Sequence, residues 1–153
     1  MAGSIIDEAA LDVTDEMKDA IMSVRPIVSD DGQWIVLCFR RRHMDWLYFY
    51  QRRSRGWRLE LLFNVQELLG GHQCELDFLS WGISVYSELL LFSREKNGEV
   101  YRWKKYPSNP YSWTPDGRPR RGDIDVESRY SAHIVRMNHG PRKGRTLIRV
   151  RER

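Results

Sequence analysis

The residues that come nearest to a catalytic set are His133, Arg136 and His139. Two imidazoles beside a guanidinium could cleave a phosphodiester. One would take the 2′-hydroxyl proton, the other would protonate the leaving oxygen, and arginine would stabilise the charged transition state. A second set is Asp123, Asp125 and Glu127, three carboxylates that would line one face of a strand and could attract magnesium, although their spacing matches no established metal motif. No glycine-rich phosphate loop and no nucleophile elbow is present.

The larger signal is a mixture of bases and aromatics. Arg118, Arg120, Arg121, Arg142, Lys143 and Arg145 lie in loops of the carboxyl-terminal third, with Tyr111 and Trp113 upstream of them. Guanidinium and ammonium groups contact phosphates, and exposed rings stack on unpaired bases, so such a mixture suits single-stranded nucleic acid. The charge is unevenly placed. Residues 1–31 carry eight acids against two bases, whereas residues 101–153 carry fourteen bases against five acids. That asymmetry points to a polyanionic or acidic partner. The expected function is a non-enzymatic binding module for a polyanion, RNA or single-stranded DNA first, with the six loop cations on phosphates and Tyr111 and Trp113 as stacking platforms. The alternatives are a protein-interaction factor of inhibitor, immunity or viral accessory type, and a small metal-independent ribonuclease using His133 and His139. No cofactor is implied.

These residues need a scaffold, and 153 residues can bury a sizeable core as a single domain, 1–153, without staples. Cys38 and Cys74 are too few for a zinc site or a disulfide framework. No apolar run is long enough to span a membrane. The amino terminus carries acids where a targeting peptide carries bases, so an intracellular soluble protein is expected, cytoplasmic in the first instance with the nucleus left open.

The organising stretch is Gln33–Phe63, three runs of β-branched and aromatic residues divided by polar breakers, which reads as an antiparallel meander. Along the first run Trp34, Val36 and Cys38 alternate with Ile35, Leu37 and Phe39. Along the second, Trp46, Tyr48 and Tyr50 alternate with Leu47 and Phe49. Both faces are apolar, so both must be covered. Thr14 as a cap, with Val13, Met17, Ala20, Ile21 and Val24 at helical spacing before Pro26, predicts an amino-terminal helix over one face. Asn64–Gly71 predicts a short internal helix, and Gln73–Trp81 a fourth strand. Asn97-Gly98 predicts a type I′ hairpin between strands at Ser84–Arg94 and Glu99–Tyr106.

Residues 1–13 are expected to fray, and the proline-rich 107–123 to form a long exposed loop. The chain closes with a hairpin, Tyr130–Met137 and Arg145–Arg151, whose alternate arginines would blunt a sheet edge. Phe39–Arg53 and Phe92–Tyr106 echo one another faintly. The expected fold is α+β, a mostly antiparallel sheet of about eight strands curled into a small barrel or sandwich.

Overall fold

The computed structural model describes residues 3–18, 21, 24–42, 44–68, 76–86, 88–106, 109–125 and 129–153. Alternating apolar residues mark much of the sequence, and the fold follows them: its regular structure is almost entirely strand. The strands are β1 (Ile5–Ala10), β2 (Ile27–Val28), β3 (Trp34–Arg41), β4 (Met44–Arg53), β5 (Gly56–Asn64), β6 (Leu76–Ile83), β7 (Leu89–Glu95), β8 (Val100–Tyr106), β9 (Asn109–Pro115), β10 (Ile124–Asp125), β11 (Tyr130–Arg136) and β12 (Thr146–Glu152). One helical turn, α1 (Val65–Leu68), follows β5.

They form three antiparallel sheets: β1-β12-β11, β2-β3-β4-β5 and β10-β6-β7-β8-β9. We refer to these as the first, middle and third sheets. The α+β expectation is therefore wrong, and among the described residues no sheet closes into a barrel.

The middle sheet explains the arrangement. Ile35, Leu37, Phe39, Tyr48 and Tyr50 pack with Ala9, Ile134, Ile148 and Val150 of the first sheet. Val36, Leu47 and Phe49 point the other way and pack with Trp81, Leu91 and Trp103 of the third. Side chains alternate along a strand, so the first and third sheets cover opposite faces of the middle one. The two apolar faces expected for this meander are both present. The coverings differ from expectation, because a sheet stands where a helix was predicted.

The described residues contain no amino-terminal helix. Asp15–Met17 forms a single 3-10 turn, and the Thr14 side chain makes no capping hydrogen bond. Met17 and Ile21 still enter the first core, and the buried Tyr50 hydroxyl holds this segment by donating to the Asp12 carbonyl at 2.8 Å. The apolar stripe is thus used without the helix: a segment this short gains little from helix formation alone, and packing on the sheet decides its path.

Residues 5–10, expected to fray, pair with β12 from Ile5↔Arg151 to Ala10↔Leu147. That pairing places β12 between β1 and β11, so its arginines do not guard an edge. The internal helix shrinks to one turn, capped by Asn64, whose Oδ1 accepts a hydrogen bond from the Glu67 N–H. Cys74 lies outside the described residues.

Two further turns depart from expectation. At Asn97-Gly98 only Gly98 has positive φ (95°), and its N–H donates to the Glu95 carbonyl. This is a three-residue hairpin loop with the glycine in the left-handed position, not a two-residue type I′ turn. The proline-rich stretch contains a strand, β9, paired with β8, and its loop begins only after Pro115. The echoing segments Phe39–Arg53 and Phe92–Tyr106 fall on the β3–β4 and β7–β8 hairpins, each interior to its sheet. Among the described residues no helix is long and apolar enough to cross a membrane.

Candidate functional site: a basic face on the first sheet

Because Ile148 and Val150 face the core, Arg149 and Arg151 must project from the other side of β12. Pairing extends this across the sheet: His133 of β11 and Glu8 of β1 both stand opposite Arg149. The β11–β12 turn adds Arg142, Lys143 and Arg145. It is held by backbone bonds from Lys143 N to Gly140 O, Gly144 N to Met137 O and Arg145 N to Arg142 O.

Glu8 is the one carboxylate on this face among the described residues. Arg149 Nε donates to its Oε2 at 2.6 Å, and Arg142 Nη2 lies 3.1 Å from its Oε1. Lys143 and Arg145 are exposed and make no acid pair among the described residues. Leu147 on the same side is nevertheless buried, as expected where long arginine stems lie along an apolar floor. Arg149 first, through its hydrogen bond, and then the charges of Arg149 and Arg142 hold the Glu8 carboxyl below its ordinary value.

That shift has a pH signature. A lowered folded-state pKa gives stability that is complete above the free carboxyl value near 4.5 and is lost as pH falls through the folded value. Glu8→Gln is expected to unfold earlier than the parent at neutral pH and to converge with it in acid. An acid titration of both chains followed by circular dichroism checks this.

The six expected phosphate contacts do not form one patch. Arg142, Lys143 and Arg145 are on the first sheet. Arg118, Arg120 and Arg121 leave β9 and lie over the outer side of the third, beyond the middle sheet. There Arg118 pairs with Glu99 at 3.1 Å and Arg120 with Asp116 at 3.4 Å. Glu99 also accepts from the Tyr101 hydroxyl, whose pKa is pushed up to about 12, by burial first and then by the neighbouring carboxylates. Of the two expected stacking residues, Tyr111 and Trp113, the backbone lies in β9 and the side chains are outside the described part.

The ribonuclease set is also dispersed. His133 faces outward. Arg136 shares the inward side with Ile134 and donates to the Lys18 carbonyl at 3.1 Å. His139 is exposed in the turn. Of the three carboxylates, Asp123 is buried and committed to Arg102 at 3.2 Å. The Asp125 side chain and Glu127 fall outside the described residues. No group of three or more His, Cys, Asp or Glu among the described residues is placed to hold a metal ion. Asp45 is buried and exchanges two hydrogen bonds with Gln66, tying α1 to the β3–β4 hairpin.

Sequence reasoning missed Arg149 and Arg151 as site residues, although their alternation with Ile148 and Val150 was visible. It also missed Arg102 and Tyr86. The signal for Tyr86 was Ser84: its Oγ accepts from the N–H groups of Tyr86 and Glu88, making a turn where a strand was expected. Comparison with protein-family models, curated proteins and solved structures finds no match to this chain.

Proposed function

We propose that this protein is a non-enzymatic binding module that takes a polyanion, RNA or single-stranded DNA first, on the outer face of the first sheet. The carrying observation is the charge on that face: Arg142, Lys143, Arg145, Arg149 and Arg151 stand against one carboxylate among the described residues, Glu8, which pairs with Arg142 and Arg149. An antiparallel face with cations at strand spacing offers phosphates several contacts, and His133 adds a donor beside Arg149. Glu8 occupies the fork between two arginines, so a phosphate must compete with it there.

Fluorescence anisotropy with labelled single-stranded RNA and DNA over a range of salt tests the reading. Five cationic contacts give a slope of log affinity against log salt of roughly −3.5 for a single strand. The exposed pair Lys143→Gln and Arg145→Gln is expected to flatten it by about 1.4 without loss of stability, and Glu8→Gln is expected to tighten binding. Affinity that ignores salt, or ignores the double replacement, rejects the proposal. RNA cleavage abolished by His133→Ala would replace it with the ribonuclease reading.

A further inference from the structure

We infer that the cap over the third sheet is a docking surface for an acidic protein segment that brings an apolar anchor. It is a separate surface on the other outer sheet, and it stands whether or not the first sheet binds a polyanion.

The anchor site is made by Tyr86, Val85 and Ile124, which are 81%, 62% and 60% exposed. These fractions are unusual for large apolar side chains gathered in one place. The chain brings them together from two segments. Ile124 of β10 pairs with Ile83 at the end of β6, just before the turn that holds Val85 and Tyr86. Gly122 abuts Val85 so closely that a Cβ there would collide with the valine side chain.

Both segments are held firmly. Ser84 fixes the turn through the Tyr86 and Glu88 amides. The 116–123 loop is pinned from beneath by Arg102, which is 2% exposed, lies 3.0 Å from Asp116 and 3.2 Å from Asp123, and exchanges backbone bonds with Asp116 and Gly117. Arg120 and Asp123 close the loop on themselves, through Arg120 N to Asp123 Oδ2 at 2.7 Å and Asp123 N to Arg120 O. An apolar group displayed on so constrained a support loses little entropy when a partner covers it.

The rim decides the partner. Arg118, Arg120 and Arg121 are all exposed, and Arg121 makes no acid pair among the described residues. Among the described side chains nearby, Glu99, Asp116 and Asp123 are already engaged by Arg118, Arg102 and Arg120, and Glu88 by Lys104. Two copies meeting patch to patch would set arginine against arginine. A nucleic acid would leave Val85 and Ile124 without apolar cover. A segment with carboxylates flanking a leucine or phenylalanine satisfies both features, and tyrosine beside arginine is the pairing that binding hot spots favour.

The test uses the full isotopically labelled chain. It is titrated with a capped peptide in which aspartates and glutamates flank leucine and phenylalanine, and with the same peptide carrying the corresponding amides. Saturable binding is expected, with amide shifts confined to 84–88 and 117–124. Binding should weaken about tenfold or more for the amide peptide and for Tyr86→Ala, and also for Arg121→Glu. Both replacements are at exposed positions, and an unchanged melting temperature confirms that the variants remain folded. The inference fails if there is no saturable binding, equal binding of the amide peptide, or indifference to Tyr86→Ala. It is likewise overturned, in favour of another occupant, if Tyr86→Ala abolishes a concentration-dependent self-association or if single-stranded RNA shifts the same amides.

Discussion

Arg102→Met is expected to lower stability by about 3–5 kcal/mol, among the largest losses any single polar replacement in this chain would cause. The reason is the charge it leaves behind. Arg102 is buried on the outer side of β8, and Asp123 facing it is 5% exposed. Removing the guanidinium leaves that carboxylate buried without a counter-charge, and leaves Asp116 with the exposed Arg120 alone. The Nε–Asp123 contact is at ion-pair distance but is not aligned as a hydrogen bond, so charge, more than hydrogen bonding, is what is lost there. Arg102→Met with Asp123→Ala should recover much of the loss, because the orphaned charge is then gone too. Urea unfolding of the two single variants and the double variant measures the coupling. Additive losses would show that the pair does not hold the cap.

The same pair shows where sequence reading stops. Arg102 sits in Tyr-Arg-Trp-Lys-Lys, a run that reads as a basic strand end, and nothing local marks one of its cations as buried. Its partners lie in a later loop, and only the folding of that loop back over β7 and β8 reveals them. Local alternation was a better guide. It set Ile35, Leu37 and Phe39 against Val36 along one run, and Tyr48 and Tyr50 against Leu47 and Phe49 along the next. The pairing of the two strands then puts the first set with the tyrosines in one core and Val36 with Leu47 and Phe49 in the other.

What alternation cannot name is the covering layer. The first sheet joins residues from both ends of the chain, and Ile5–Ala10 carries too irregular a pattern to announce a strand by itself. The basic face shares that origin: Arg149 was visibly outward, but the Glu8 that joins it to Arg142 is brought there by pairing between distant segments.

Phe49→Ala is the other large effect expected, about 3–5 kcal/mol, and its reach is as informative as its size. Phe49 is fully buried in the second core, edge-on to Phe63 and Trp81. Its neighbours in β4, Tyr48 and Tyr50, belong to the first core. A strand that supplies alternate side chains to two layers cannot release one and keep its geometry for the other. Loss of Phe49 should therefore destabilise the first sheet as much as the third.

Indole N–H resonances can follow both sides. Trp57 belongs to the first core, while Trp81 donates to the Ile27 carbonyl and Trp103 to the Ser93 hydroxyl beside the second. In urea the three signals are expected to disappear in one transition, in the parent and in Phe49→Ala alike, shifted together to lower denaturant. Ile35→Ala, which opens a cavity on the opposite face, should move all three as well, by about 2–5 kcal/mol. If Trp81 and Trp103 were lost first in Phe49→Ala while Trp57 held its parent midpoint, the middle sheet would not couple the layers. The basic face on one side and the cap on the other would then be independent units.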